Sequence, residues 1–232
     1  MKNYLFYNFK DTCKKVPKKN NNTPPVAKRE FNKVEKSAES KKADKVVISI
    51  VGVRGINIPE ITNGQIYFLC TAIFDNDDVK MSMEKSNHNT SLVLGEYIVS
   101  SYHVTFDEEI VLNIPEGNNF IRCYVSCIYV TESDGTRNMK LEGIGYTDAY
   151  VIKDCKAYVY SSCKLIKAVG APDTEGSIKM SVKCVDEKHP SIVKEERPFN
   201  ALEELKKKIM ENLEYYNNVQ YILLKEKHTI LL

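Results

Sequence analysis

Short segments in which apolar and polar residues alternate fill the middle of this 232-residue chain, from residue 46 to residue 185. Residues 46–54 and 176–185 show the alternation most clearly, and the segments between them are rich in Val, Ile, Tyr and Cys. Turn-forming residues separate the segments, as at Asn63-Gly64 and at residues 115–119. This spacing is typical of an antiparallel β-sandwich, because each strand then buries one of its two faces.

The alternating segments predict an all-β domain over residues 45–187. A chain of this length has room for one such core together with its extensions. We predict eight strand segments, near residues 46–54, 65–74, 78–83, 97–113, 120–130, 143–152, 157–168 and 176–185. The segment 97–113 is long enough to form two strands or one bulged strand.

The first 44 residues differ in composition from the rest, with three prolines, a run of asparagines and many lysines. Such a segment buries too little apolar surface to offset its ordering entropy, so we predict a largely disordered tail. Of the chain's 33 Lys/Arg and 31 Asp/Glu, 13 and 5 lie in residues 1–45, which leaves 20 and 26 in residues 46–232. The tail is therefore basic and the remainder acidic.

A helical period replaces the strand period near the carboxyl end, over residues 198–226. Asn200 is placed to cap a helix, with Glu203 at the third helical position. Apolar residues then recur every three or four positions, which predicts an amphipathic helix. Its apolar stripe begins with Leu202, Leu205, Ile209, Leu213 and Tyr216.

Several function classes lack support in the sequence. No apolar run is long enough for a membrane-spanning helix, and the amino end does not resemble a signal peptide, so we expect a cytoplasmic protein. The seven cysteines are interpreted as reduced and mostly buried. Nucleophile elbow, phosphate loop, dinucleotide and zinc patterns are missing, which predicts a protein that is not an enzyme. The basic tail is the one feature that favours nucleic-acid binding, and we expect no nucleic-acid partner.

Four segments, taken in order, resemble a C2 domain: residues 46–56, 106–115, 144–151 and 175–185. Residues 60–68, with Asn63-Gly64 before a strand, resemble the family's first ion loop and the strand after it. Residues 131–135 through 142–145 resemble its third loop. The resemblance implies a two-sheet sandwich that docks to membranes or protein partners.

The C2 resemblance also provides a test for calcium, because the calcium-binding members hold the ion with carboxylates from two loops. In this chain the matching positions are Ile61, Gln65, Thr131 and Ser133, and the fifth is acidic, at Glu142. Three further carboxylates are one residue out of step, at Glu60, Glu132 and Asp134. We therefore expect no calcium, metal or other cofactor at these loops.

One functional hypothesis is attachment to an anionic membrane surface through the tail. Aromatic rings suit the lipid interface, and each lysine near anionic lipid gains about 1 kcal/mol. Two weak signals together hold a protein on a membrane where one does not. The residues concerned are Tyr4, Phe6, Phe9, Lys10, Lys14, Lys15, Lys18 and Lys19.

The alternative hypothesis is a structural scaffold or a cytoskeleton-associated assembly subunit without lipid binding. In that case the helix stripe from Leu202 to Tyr216 docks in a protein partner's groove or pairs with a copy of itself. Packing of the helix on its own sandwich is equally consistent with the pattern, because a helix of this length needs tertiary burial. The two functional hypotheses combine in a calcium-independent C2-like adaptor peripheral to a membrane or the cytoskeleton.

Overall fold

The computed structural model describes residues 43–133, 135–152, 161–168, 171, 175–186, 188 and 190–230, with the backbone alone for residues 161 and 217–230. The predicted disorder of residues 1–44 concerns a segment that lies outside this range except for residues 43 and 44. Within the described residues the strands are β1 Lys45–Ile56, β2 Gly64–Phe74, β3 Val93–Leu94, β4 Glu96–Ile98, β5 Ser101–Asn113, β6 Phe120–Ser133, β7 Thr136–Tyr146, β8 Tyr150–Val151, β9 Ser161–Lys164, β10 Ile166–Lys167 and β11 Ser177–Val185. The helices are α1 Val79–Met83 and α2 Ala201–Ile230, with a 3-10 turn at Ser86–His88.

The strands form two antiparallel sheets. One has the order β4-β5-β1-β11-β9, and the other has the order β10-β7-β6-β2-β3, with β8 also paired to β6. Apolar residues from the inner faces of both sheets make one continuous core, which includes Ile48, Phe68, Val125 and Ile178. An all-β antiparallel sandwich followed by one carboxyl-terminal helix is therefore confirmed.

The prediction of a strand at residues 78–83 is wrong, because this segment forms α1. Asp78 caps the helix, since one of its carboxylate oxygens accepts the backbone N–H groups of Lys80, at 2.8 Å, and Met81, at 3.3 Å. A side chain that satisfies these otherwise unpaired donors stabilises the first helical turn. The alternation of apolar and polar residues here is too short to distinguish a strand from one helical turn.

Strand β7 begins earlier than the predicted strand at residue 143. It pairs with β6 from Thr136, opposite Ser133, to Tyr146, opposite Tyr124. Gly135 has a φ of 72°, a conformation that glycine adopts without steric cost. Two residues thus connect the strands, and most of the segment assigned to a loop is paired backbone.

The core cysteines behave as small apolar residues. Cys70, Cys123 and Cys127 are buried free thiols. Burial raises the pKa of the Cys123 and Cys127 thiols to about 12. Both side chains belong to the inter-sheet core, as expected for residues four apart on one strand.

Neither helix of the described residues combines the length and the apolar character that crossing a membrane requires.

Candidate docking surfaces

The carboxylates proposed as remnants of an ion site are distributed along a hairpin and a loop. Glu132 lies in β6 opposite Arg137 of β7, and Glu142 lies in β7 opposite Cys127. Glu60 is exposed in the connection between β1 and β2. Asp134 lies outside the described residues. Among the residues that the structure does describe, no three His, Cys, Asp or Glu side chains are grouped so that they could hold a metal ion.

Glu142 has partners on the surface of its own sheet. Its carboxylate forms an ion pair with the ammonium group of Lys140, and it is hydrogen-bonded to Tyr129. Burial, followed by the nearby Cys127 and Glu142, raises the pKa of the Tyr129 hydroxyl well above its usual range. These contacts make Glu142 part of the β6–β7 hairpin.

The acidic cluster at residues 75–78 stabilises local backbone. Asp75 accepts hydrogen bonds from the backbone N–H groups of Asn119, at 3.2 Å, and Phe120, at 3.4 Å. Asp78 caps α1. Both carboxylates thus satisfy backbone donors at turns, which is a common role of Asp in proteins.

The membrane-binding residues proposed for the tail lie outside the described residues, so lipid attachment through them stays a prediction. They are Tyr4, Phe6, Phe9, Lys10, Lys14, Lys15, Lys18 and Lys19.

The first nine residues of α2, which we call the near segment (201–209), pack on the outer face of the second sheet. Asn200 caps the helix, and its side-chain oxygen accepts the N–H groups of Leu202, at 3.1 Å, and Glu203, at 3.3 Å. Leu205 is fully buried and Ile209 is 8% exposed. They lie in a cluster with Tyr67, Leu69, Leu92, Ile128, Val130 and Ala201, against which Leu202 is partly buried.

A short extended segment, residues 195–199, fixes the position of the near segment, and we call it the strap. The N–H of Ser86 donates to the carbonyl of Arg197 at 2.9 Å, and the N–H of Phe199 donates to the carbonyl of Glu84 at 2.7 Å. Further along the helix, the ammonium group of Lys208 donates to the carbonyl of Leu92 at 2.6 Å. The helix therefore starts from a backbone ladder, which sets its direction across the sheet.

The strap rests on a segment, residues 84–92, that buried polar side chains hold to the edge of β2. The hydroxyl of Thr71 donates to the side-chain oxygen of Asn89 at 2.6 Å, and the amide nitrogen of Asn89 donates to the carbonyls of Met83 and Lys85. His88 is buried, and its Nδ1 lies 2.8 Å from the carbonyl oxygen of Ala72. A carbonyl can only accept, so Nδ1 carries the proton.

The rest of α2, residues 210–230, is called the far segment, and its first seven residues are the ones for which exposure is described. Every residue from 210 to 216 is exposed. Leu213 is 43% exposed and Tyr216 is 65% exposed, although both continue the stripe that buries Leu205 and Ile209. Met210 and Tyr215 add exposed apolar surface that the stripe analysis did not include.

The structure thus divides the five predicted partner-binding residues into two groups. Leu202, Leu205 and Ile209 contact the protein's own sheet, whereas Leu213 and Tyr216 face solvent. Sequence periodicity does not separate the groups, because the helical stripe is continuous and the end of the sheet beneath it leaves no mark in the helix sequence.

A second exposed apolar feature lies at the turn between β4 and β5. Ile98 is 46% exposed and Val99 is 92% exposed. Val99 and Ser100 have φ values of 47° and 62°. A left-handed backbone is costly for a β-branched residue, and the turn of the hairpin imposes it here. No glycine or asparagine marks this turn, so its position was not predicted within the segment 97–113, which the sequence favoured as two strands or one bulged strand.

Comparisons with known proteins concern the fold. No protein-family model and no curated protein matches this chain. Two solved structures resemble 68% of it, each with a TM-score of 0.38. One is a C2 domain-containing protein from an elicitor-responsive gene, 11% identical and covered over 98% of its length. The other, 14% identical, is CC2D1B, which is described as coordinating ESCRT-III activity during mitotic reformation of the nuclear envelope.

The chain covers 61% of the CC2D1B structure, and at these identities the likeness concerns the fold alone. The two antiparallel sheets and their continuous core are what the prediction and the structure share. The two-sheet antiparallel sandwich that the C2 resemblance implies is thus confirmed by the sheets themselves.

Proposed function

We propose that this protein is a calcium-independent C2-like adaptor. The sandwich is its rigid platform, the far segment of α2 contacts a protein partner, and the basic tail attaches the platform to an anionic membrane. The observation that carries the proposal is the exposure of every residue from 210 to 216 on a helix whose first nine residues are anchored.

Exposed apolar residues on the far segment support the protein contact. In proteins most helical stability comes from packing of an amphipathic face, so burial of the apolar face by a partner stabilises the far segment. Leu213 and Tyr216 lie on the face that is already buried in the near segment. Rings and large aliphatic groups on one helix face are typical of helices that dock in a groove.

Calcium independence is supported by where the carboxylates lie. Calcium requires six to eight oxygen ligands. Glu142 is paired with Lys140, Glu132 is exposed on a paired strand, and Glu60 is in a separate loop. A turn of two residues between β6 and β7 leaves little backbone to bend around an ion.

Membrane attachment is favoured by the charge split between the tail and the rest of the chain. The 13 Lys/Arg of residues 1–45 outnumber the 5 Asp/Glu, whereas the remainder has an excess of carboxylates. Anionic lipid therefore attracts the tail and not the sandwich. The scaffold alternative keeps the helix contact and lacks this attachment.

Vesicle flotation tests the membrane function. The full-length protein is expected to float with vesicles that contain phosphatidylserine, equally in calcium and in chelator, and not with neutral phosphatidylcholine vesicles. Replacing Lys14, Lys15, Lys18 and Lys19 with Gln should abolish flotation, since about 4 kcal/mol of attraction to the anionic surface is removed.

A matched variant has Gln at Lys28, Arg29, Lys33 and Lys36, which removes as many charges away from the aromatic start of the tail. It should retain most of the flotation. Absence of flotation by the unmodified protein would leave the scaffold function, and flotation only with calcium would contradict the ligand analysis.

Photo-crosslinking tests the protein contact. Benzoyl-phenylalanine at position 216 is expected to form a covalent protein adduct in cells, because this side chain is exposed on the stripe. The same residue at position 203, which is exposed on the near segment away from the stripe, is the control and should give none. Equal labelling at both positions would contradict a contact specific to the far segment.

A further inference from the structure

We propose that the side of β7 that faces away from β6 at residues 136–142, which we call the open edge, binds an extended peptide of a protein partner. The peptide adds one strand to the second sheet. This site is separate from the contact proposed for α2 and does not depend on it. The class of partner follows from the backbone, because a row of unpaired N–H and C=O groups is matched by another strand.

The open edge is long and regular. β7 pairs with β6 in continuous register from Thr136 to Gly143, and β10 pairs with its other side at Gly145 and Tyr146. In the part of the chain that the structure describes, no strand pairs with residues 136–142 on that side. At about 3.3 Å per residue these residues span about 23 Å, which is room for a strand of typical length.

The pairing of β6 with β7 shows which backbone groups point to the open edge. Ser133 and Thr136 flank the two-residue turn, and residues that flank such a turn bond to each other. The next pair, Glu132 and Arg137, is therefore not hydrogen-bonded. The N–H of Glu132 accordingly donates to the carbonyl of Asn63 on its other side. The N–H and C=O groups of Arg137 must then point away from β6.

Alternation along the strand places the N–H and C=O groups of Arg137, Met139 and Leu141 at the open edge. Within the described residues these groups have no hydrogen-bond partner. The side chains of Met139 and Leu141 share the face towards α2. Met139 packs with Leu202 against the cluster under the near segment, and Leu141 is 38% exposed. An added strand therefore places every second side chain beside this apolar pair.

Two other strand edges are protected. β5 contains a left-handed residue, Asp107, with a φ of 48°, and its ladder with β1 shifts register there. Beside it, Glu108 accepts the N–H of Ser91. The outer side of β2 is closed by β3 and by a bond from the N–H of Thr90 to the carbonyl of Cys70. The open edge has neither a bulge nor a cover among the described residues, which indicates a binding site.

Charges along the open edge favour an acidic residue in the partner strand. Arg137 is exposed at one end of it and is absent from the ion pairs of the described residues. On the opposite face Lys140 and Glu142 are paired with each other, so together they add no net charge. A complementary strand thus has an acidic residue opposite Arg137 and apolar residues opposite Met139 and Leu141.

The test uses a synthetic peptide and NMR spectroscopy of the full-length protein labelled with nitrogen-15. The peptide Thr-Lys-Val-Glu-Ile-Thr-Glu, acetylated and amidated, places Val opposite Leu141, Ile opposite Met139 and the last Glu opposite Arg137 in an antiparallel strand. On addition of the peptide, the amide signals of these three residues are expected to shift. Their hydrogens should also exchange more slowly with solvent, because their N–H groups become bonded.

Methylation of the peptide backbone separates strand addition from other modes of binding. Methyl groups on the nitrogens of Val and Ile remove two donors that face the open edge, and they should weaken binding by about tenfold or more. Methyl groups on the nitrogens of the central Glu and the second Thr, which face away, are the matched control and should weaken it much less. Equal weakening by both pairs would contradict pairing with β7.

Leu141→Pro removes one donor of the open edge from the protein itself. The N–H of residue 141 points away from β6, so the bonds between β6 and β7 remain, and proline is tolerated at such edge positions. Binding should weaken by about threefold to tenfold, whereas Leu141→Val, which keeps the N–H, should bind as the unmodified protein does. Thermal unfolding checks that each variant is folded. If the proline variant is not, the two methylated peptides still decide on the unmodified protein.

Three results would overturn the inference. The first is a lack of binding at millimolar peptide. The second is binding that changes signals on α2 and not on β7, which would point to the contact already proposed for the far segment. The third is protection of the same amides when the protein concentration is raised without peptide, since the occupant would then be a second copy of this chain.

Discussion

The near and far segments of α2 have the same apolar period and opposite environments. In the near segment Leu205 is fully buried on the protein's own sheet, whereas in the far segment Tyr216 is 65% exposed. The two environments differ because α2 continues to Ile230, whereas Ile209 is the last of its residues that the structure shows buried on the sheet. An amphipathic pattern indicates that one face of a helix is buried against something. The surrounding fold determines which part of that face the protein's own sheet buries.

The largest expected difference between the segments is in the cost of removing one leucine. Leu205→Ala should lower the free energy of unfolding by about 2–5 kcal/mol, because it leaves a cavity between helix and sheet. Leu213→Ala, the same change in the far segment, should alter it by about 0.5 kcal/mol or less, because this side chain is exposed. Urea denaturation of the purified protein measures both. Equal costs would remove the distinction between the segments.

A smaller effect is expected at the start of the near segment. Asn200→Ala should cost about 1 kcal/mol, since the N–H groups of Leu202 and Glu203 lose their acceptor. Asn212→Ala, in the exposed part of the helix, is the control and should be neutral or slightly stabilising. If Asn212→Ala lowered the free energy of unfolding as much as Asn200→Ala, loss of the cap would not explain the effect at position 200.

The smallest expected effect is a loss of stability at mildly acidic pH, through His88 in the segment that supports the strap. Burial lowers the pKa of His88, although the carbonyl of Ala72 opposes the shift; Lys85 lowers the pKa further, and Asp77 and Glu196 raise it. Unfolded histidine titrates near about 6.5, so below that pH the unfolded chain binds a proton that the folded chain resists. The free energy of unfolding should therefore fall as the pH drops below about 6.5.

His88→Gln should remove this part of the pH dependence. The measurement is the difference between the stability curves of the two proteins from neutral to mildly acidic pH. If the difference in the free energy of unfolding between the two proteins does not change with pH, His88 makes no contribution to the pH dependence.

The sequence predicted the sandwich where strands alternate and turns have marker residues, as at residues 46–54 and 176–185. It failed where a local hydrogen bond or a neighbouring element decides the structure. Asp78 converts a short alternating segment into a helix, and pairing with β6 turns the acidic segment around Glu142 into a strand. Single-residue patterns do not contain these contacts.

The sequence predicted which residues form the apolar stripe of α2. It did not predict which of them are buried on the sheet and which are exposed. Leu213 and Tyr216 were identified from the stripe, but the anchoring of Leu205 and Ile209 depends on where Tyr67 and Val130 lie in the sheet. The buried polar group of Thr71, His88 and Asn89 was missed, because residues distant in sequence meet there.

Ile209 is the last residue of α2 that the structure shows buried on the sheet, so the exposed positions that follow it, 210–216, evolve under different constraints from the sandwich. Substitutions at the exposed positions 210–216 have little effect on whether the sandwich folds, so selection at those positions acts on the proposed contact alone. A lineage can therefore alter what the helix recognises without compensating changes in the sandwich.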